Sequence, residues 1–140
     1  MRAISLWQPY ASLIATRAKR FETRAWSTSY RGYLAIHAAK RWTAVEKTIC
    51  WEFKRDFAVA TQECLQYWPT NPLPLGAVLC VVELLAVYPT EEIADGLSVS
   101  ERAFGDYYPG RYAWQLDVVE VFDPPIPAKG AQNFFRWDQP

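Results

Sequence analysis

The hydrophobic residues of this 140-residue chain recur with two periods, one typical of β-strands and the other of α-helices. Alternating or continuous apolar runs predict five strands, over residues 3–8, 19–26, 30–39, 77–88 and 111–122. The fourth is rich in β-branched residues, which favours a central strand covered on both faces. In the fifth, the apolar phase slips after Val118, which predicts a bulge that bends the strand. We expect the prolines at 124, 125 and 127 to end it.

Two other segments have the spacing of amphipathic helices. Pro9 suits the first turn of a helix that extends to about residue 16 and has one apolar side. Thr43 followed by Glu46 is a capping box, which marks the start of a second helix of roughly four turns. The apolar positions behind this capping box recur every four residues, at Val45, Ile49, Phe53 and Phe57. Short helical turns are expected around residues 90–95 and 99–104.

These elements predict an α+β fold, a small mixed β-barrel with about two flanking α-helices. The length and the absence of linkers or repeats predict a single domain over residues 1–140. No run reaches the ~20 apolar residues that a membrane-spanning helix needs, and no signal-peptide cleavage site follows the N-terminus. The three widely spaced cysteines suit reduced thiols better than a disulfide framework, so we expect a cytoplasmic protein.

The net charge of zero conceals an uneven distribution along the sequence. Residues 1–70 carry eleven Lys or Arg and five Asp or Glu, giving +6, whereas residues 71–140 carry four and ten, giving −6. The basic half also contains many of the chain's aromatic residues. Basic residues interleaved with aromatics can neutralise a nucleic-acid backbone and stack on its bases. The alternative is that the charges of the two halves pair across the folded surface.

Most familiar catalytic patterns are missing. The chain has one histidine and no CxxC spacing, which argues against a metal site. With six glycines it has no glycine-rich phosphate loop, and no serine stands in a nucleophile elbow. We therefore expect neither a metal nor a cofactor.

The segment from Lys19 to Trp26 is the strongest candidate for a functional site. If it is extended, Glu22, Arg24 and Trp26 share one face of the strand. Cations on either side keep a carboxylate such as Glu22 ionised, Lys19 and Arg24 are donors to phosphate or carbonyl oxygens, and Trp26 could stack on a base. The alternative is a surface salt-bridge cluster, in which each exposed pair is worth under about 1 kcal/mol.

Residues 5–40 resemble the ASCH domain, a family within the PUA-like superfamily of small β-barrels. The family pattern is Gly, any residue, Lys, two residues, Glu, one residue, Arg, and Lys19, Glu22 and Arg24 fill three of its four defined positions. The flanking sequences SLWQPY and AIHAAK, at residues 5–10 and 35–40, also resemble the family. The glycine position is occupied by Arg17. Either Arg17 adopts left-handed backbone, at a cost of roughly 1 kcal/mol or more, or this turn is built differently.

The resemblance implies a cleft that binds RNA or a modified nucleoside or nucleotide. The residues expected to line it are Trp7, Gln8, Lys19, Glu22, Arg24, Trp26, His37 and Lys40. His37 and Trp7 also have a simpler interpretation as core residues. The sequence does not distinguish RNA from DNA or fix the oligomeric state.

Three functions remain open, and a binding domain for RNA or a modified nucleotide is ranked first. The second is a metal-independent hydrolase of a modified nucleoside or of RNA, with Lys19 and Glu22 as its catalytic residues. Some small members resemble acetylcytidine amidohydrolases, which use the lysine, a further carboxylate and a threonine at the position of Glu22. Because that threonine is missing, the resemblance supports this mechanism poorly. The third function is a protein-interaction domain.

Overall fold

The computed structural model describes residues 1–140, and its centre is a mixed sheet of six strands. The sheet order is β2-β5-β4-β3-β1-β6, in which β1 pairs with β3 in parallel and every other pairing is antiparallel. The strands are β1 (Arg2–Leu6), β2 (Phe21–Arg24), β3 (Gly32–Ala38), β4 (Ala77–Pro89), β5 (Tyr112–Pro127) and β6 (Phe135–Arg136). With its helices, the chain has the expected α+β fold.

The chain also forms five helices. They are α1 (Tyr10–Ala15), α2 (Ala44–Asp56), α3 (Gln62–Leu65), α4 (Thr90–Ile93) and α5 (Val99–Ala103), and a 3-10 turn occupies Ala94–Gly96. The predicted capping box starts α2, with Thr43 and Glu46 satisfying each other's backbone. The expected turns near 90–95 and 99–104 are also present, whereas α3 was not expected. None of the helices has the length and apolar character to cross a membrane.

Bulges bend the long strands of the sheet. Val81 pairs with Glu120 and Val82 with Val118, so Val119 is an extra residue in β5, at the predicted phase slip. Strand pairing does not close the sheet, and a barrel is therefore not confirmed. The bending nevertheless brings its two ends together, since Arg24 of β2 donates from Nη2 to the Ser5 carbonyl of β1 over 3.1 Å.

The expectation that prolines end the last long strand is wrong. β5 continues through the prolines at 124 and 125 to Pro127, where it pairs with Ala77. β2 pairs with only the first four residues of β5, so the later part of β5 has β4 on one side and an open edge on the other. Pro124 and Pro125 lie in an irregular part of the pairing between β4 and β5, since Cys80 pairs with Val121 and Val78 with Ile126. A proline is tolerated at such a bulge because no ladder hydrogen bond is required of it there.

The sheet separates two parts of the core. One face packs α1 against residues that include Ile4, Ile36 and Trp114. The other face carries Ala35, Phe122 and Trp137, so the aromatic C-terminal segment packs back onto the sheet. A third apolar cluster joins α1 to α2, α3 and the residue after α5, and includes Leu13, Cys50, Phe53, Leu65 and Phe104.

Candidate functional site

The turn after α1 directs Lys19 into the interior. Arg17 has a φ of 67°, and its N–H donates to the Ile14 carbonyl over 2.9 Å. The Lys19 N–H then donates to the Leu13 carbonyl over 3.0 Å. Of the two structures that the sequence allowed at the family's glycine position, the chain therefore adopts the left-handed one, with an arginine in place of glycine.

Lys19 is almost completely buried, with 1% of its side chain exposed. Its Nζ donates to the Phe104 carbonyl over 2.5 Å, lies 3.8 Å from Oε1 of Glu22, and is 5.7 Å from the ring centroid of Tyr10. Burial lowers the pKa of Lys19, while the negative charges of Glu22 and Glu101 act in the opposite direction. The Lys19 ammonium group is thus held by the Phe104 carbonyl and by the Glu22 carboxylate.

Glu22 and Arg24 complete what we call the ionic cluster, formed by Lys19, Glu22 and Arg24. Alternation along β2 places Glu22 beside Trp114 and Arg24 beside Tyr112 of β5, on the core face of the sheet. Oε2 of Glu22 lies 3.3 Å from Nε of Arg24, so the carboxylate contacts both cations. The side chains of Glu22 and Arg24 are 12% and 19% exposed, and the cluster therefore lies at the boundary of the core.

Thr23 points to the opposite face of β2. It is buried, and its hydroxyl accepts a hydrogen bond from the Asp106 N–H over 2.9 Å. The hydroxyl therefore fixes the segment after α5 and is directed away from the ionic cluster.

Trp26 lies two residues beyond the end of β2. Its ring packs edge to face against Trp114 and Phe134, with centroid distances of 4.9 and 5.2 Å. It is partly buried in the aromatic part of the core. The structure therefore brings Trp26 into the core that adjoins the cluster rather than onto a free strand face.

Gln8 and His37 are both buried, and their polar atoms are occupied within the protein. The Gln8 side chain bonds Ser12 and the Pro74 carbonyl. Nε2 of His37 donates to the Ala128 carbonyl over 2.8 Å, and Nδ1 shares a hydrogen bond of 2.9 Å with the Ser5 hydroxyl. These contacts fit structural roles for both residues.

Trp7 and Lys40 are exposed, and neither forms a hydrogen bond or an ion pair with the ionic cluster. Trp7 follows β1 directly and Lys40 follows β3 by two residues, so both lie at the same edge of the sheet. The Trp7 ring contacts Arg41, whose Cζ is 4.1 Å from the ring centroid.

The structure adds three residues to the site that the sequence did not indicate. Tyr10 lies beside Lys19, the carbonyl of Phe104 accepts its hydrogen bond, and Glu101 of α5 is buried nearby. Burial raises the pKa of Glu101. The hydrogen bond from the Arg20 N–H to its Oε1 and the positive charge of Lys19 act in the opposite direction. The Ser98 to Glu101 spacing was a signal for this carboxylate, since it matches a capping box. Ser98 does cap α5, but Glu101 bonds Arg20 instead of closing the box.

Three buried side-chain atoms in the chain make no hydrogen bond, although one of them, Nε of Arg24, contacts Oε2 of Glu22 in the ion pair described above. They are Nε of Arg24, Oε2 of Glu101 and the Tyr107 hydroxyl oxygen. Burial, followed by the charges of Glu101 and Glu22, raises the pKa of Tyr107. Two surface depressions of about 360 and 350 Å³ lie elsewhere, one around Phe134 and one between Thr16 and Gln66.

Comparison with known proteins identifies the family. A family model for the ASCH domain matches residues 4–126, so the chain belongs to the ASCH domain family and the resemblance expected from the sequence is confirmed. No curated protein matches the chain significantly.

Two crystal structures of ZmASCH from Zymomonas mobilis, each of a single-residue mutant, are similar to this fold. Both are 18% identical to this chain and cover 90% of it, and the alignments cover 72% and 74% of the ZmASCH chains, with TM-scores of 0.50 and 0.49. At this identity the similarity concerns the fold alone.

Proposed function

We propose that this ASCH domain binds RNA or a modified nucleoside or nucleotide, with the ionic cluster as its recognition site. The observation that carries the proposal is a set of buried atoms near this cluster that make no hydrogen bond. Oε2 of Glu101 and the Tyr107 hydroxyl have no partner, whereas Nε of Arg24 has only its ion-pair contact with Glu22. A buried polar group without a partner destabilises a fold by about 1–3 kcal/mol, so these atoms are better explained by a missing ligand than by stability.

The chemistry of these atoms suits the edge of a nucleobase. Nε of Arg24 is a donor, Oε2 of Glu101 is an acceptor when ionised, and the Tyr107 hydroxyl is either. A base presents donors and acceptors side by side on its Watson–Crick and Hoogsteen edges, and single-stranded RNA exposes both edges. The Lys19 ammonium and the rest of the Arg24 guanidinium would favour a carbonyl or phosphate oxygen in the same ligand.

A binding assay with matched variants tests the proposal. Short RNAs and a panel of modified nucleosides are titrated against the native chain, Arg24→Ala and Arg20→Ala, with thermal unfolding as the check that each variant folds. Arg20 is the control because its side chain is exposed and the variant removes the same charge from the same segment. We expect Arg24→Ala to weaken binding about tenfold or more, which is about 1.4 kcal/mol, and Arg20→Ala to change it little.

Two results would contradict the proposal: no binding of any RNA or nucleoside, or equal losses in the two variants. Lys19→Ala serves as a second test. Because Lys19 is buried and satisfies the Phe104 carbonyl, its loss is interpreted only where the variant still folds. If nucleic-acid and nucleoside interactions are unaffected by all of these changes, a protein partner becomes the better explanation.

Glu101 favours a second candidate, hydrolysis of an amide on a modified nucleoside. The acetylcytidine amidohydrolases that some small family members resemble combine a lysine with a carboxylate from elsewhere in the chain, and Glu101 is a buried carboxylate whose charge acts on Lys19. The Thr23 hydroxyl is directed to the opposite face, so it does not replace the missing threonine. Release of acetate from acetylcytidine, lost in Glu101→Gln, would establish this activity. Binding without turnover would exclude it for that substrate.

A further inference from the structure

An exposed aromatic residue and two cations meet at one edge of the sheet. β1 and β3 run in parallel, so their C-terminal ends lie together, and Trp7 follows the first while Lys40 and Arg41 follow the second. The Ala39 N–H donates to the Leu6 carbonyl over 2.8 Å and keeps the two chain segments side by side beyond the strands. This contact explains how residues more than thirty positions apart in sequence come to share a surface.

Arg41 is held over the ring of Trp7 by a buried carboxylate. Its Cζ lies 4.1 Å from the Trp7 ring centroid, and its Nε donates to Oε2 of Glu46 over 2.9 Å. Glu46 is 1% exposed, and its other oxygen accepts from the N–H and the hydroxyl of Thr43. Burial alone would raise the pKa of Glu46, but the hydrogen bonds from Thr43 and Arg41 have the larger effect and lower it to about 2. The carboxylate therefore stays ionised and remains bonded to the guanidinium.

The exposed ends of the Trp7, Arg41 and Lys40 side chains form no hydrogen bond or ion pair with the protein. Trp7 is 52% exposed and the Arg41 side chain 40% exposed, and neither terminal nitrogen of Arg41 donates to a protein atom. Lys40 is exposed and makes no ion pair, while its aliphatic stem packs on Gly76, where an added Cβ would lie 2.9 Å from the lysine Cε. Three side chains are thus positioned at the surface with their binding groups free.

We propose that Trp7, Arg41 and Lys40 form a second nucleotide subsite, in which a base of single-stranded RNA stacks on the Trp7 and Arg41 pair and Lys40 contacts a phosphate. We call this subsite the stacking platform. It rests on the proposed function and extends it from one nucleotide to a strand. Aromatic rings beside cations are the means by which proteins bind single strands without reading their sequence. Glu46 is a positioning residue, because it acts only through Arg41.

The platform lies close to the ionic cluster along β1. Arg24 contacts the Ser5 carbonyl, and Trp7 follows two residues later, which is roughly 7 Å at the rise of an extended strand. One strand of RNA could therefore contact both. Binding at the platform should therefore make affinity depend on RNA length rather than on base identity.

The test compares nucleoside monophosphates with RNAs of two to six nucleotides, measured for the native chain, Trp7→Ala, Arg41→Lys and Trp51→Ala. Trp51 is the matched control, since it is 55% exposed but lies on α2. The native chain should gain about 5- to 100-fold in affinity from one nucleotide to the longer RNAs, as expected for one stacked base. Trp7→Ala should lose this gain and keep the affinity for the monophosphate, whereas Trp51→Ala should keep both.

Arg41→Lys separates stacking from charge and retains a cation for Glu46. We expect it to lose most of the length-dependent gain while the salt dependence of binding stays close to native, because the charge is kept. An undiminished gain in Trp7→Ala and Arg41→Lys would overturn the platform and leave the proposed function intact. Absence of binding to monophosphates and to every RNA would overturn both.

Discussion

Replacement of Arg17 by glycine should stabilise the protein, because Arg17 holds left-handed backbone at the turn that positions Lys19. Its φ is 67°, and left-handed backbone costs a residue with a Cβ roughly 1–2 kcal/mol. Glycine removes that cost but loses about 0.4–1 kcal/mol through the greater freedom of the unfolded chain. The Arg17 side chain contributes little against this, since its one hydrogen bond is exposed and spans 3.5 Å to the Val118 carbonyl. The expected net gain is about 0.5–1 kcal/mol.

Chemical denaturation of Arg17→Gly and Arg17→Ala measures this effect. Alanine removes the same side-chain contact but keeps a Cβ, so the difference between the two variants isolates the backbone. Glycine should be more stable than alanine by about 1 kcal/mol, and its thermal midpoint higher by about 3 °C in a chain of this size. Equal stability of the two variants would refute the reasoning. It would show that the turn does not constrain Arg17 in the folded protein.

Three further changes test other parts of the structure. Gly130→Ala should destabilise the protein by about 1–3 kcal/mol in the same denaturation assay, because the new Cβ would lie 2.5 Å from Cε1 of His37. Gly96→Ala is the control, since its Cβ would have no atom within 4 Å, and it should change stability by less than about 0.5 kcal/mol. Thr43→Ala should cost about 1 kcal/mol through loss of the α2 cap, and circular dichroism during thermal unfolding measures it. Burial raises the pKa of Glu101 above its ordinary 4.5, so its contribution to stability is greatest in acid and declines as the pH rises from about 4.5 through the raised pKa. Glu101→Gln should therefore be at least as stable as the native chain at neutral pH, with its relative advantage falling in acid, and a constant difference across that range would contradict the assignment.

Features that depend on local sequence were predictable. The capping box at Thr43 and Glu46 fixes the start of α2 because both partners lie within one helical turn. The phase slip after Val118 locates a bulge because side chains alternate strictly along a strand, and only an extra residue can shift that alternation. The family pattern similarly placed Lys19, Glu22 and Arg24 in one cluster, since they lie within six positions of each other.

Features that depend on distant contacts were not predictable in this way. The Lys19 ammonium bonds the Phe104 carbonyl, which is 85 residues away, and no pattern in the sequence links the two. The end of β5 depended on its pairing with the distant β4, which becomes irregular at Pro124 and Pro125 and resumes at Ile126. Gln8 shows the same limit, because its burial follows from contacts with Ser12 and the distant Pro74 carbonyl.

Energetically unfavourable features of this fold lie close to the ionic cluster, and this argues for a functional role of the cluster. Arg17 adopts strained backbone two residues before Lys19, and buried atoms of Glu101 and Tyr107 near the same lysine and Glu22 have no hydrogen-bond partner. An ion cluster that served stability alone would be expected to satisfy its atoms, as Glu46 does at the start of α2 with every carboxylate oxygen hydrogen-bonded. Strain and unsatisfied groups persist where the surrounding structure holds them for another purpose. Binding of a ligand that supplies the missing partners should therefore raise the unfolding temperature, and Glu101→Gln should reduce that ligand-induced increase even where the variant itself is no less stable.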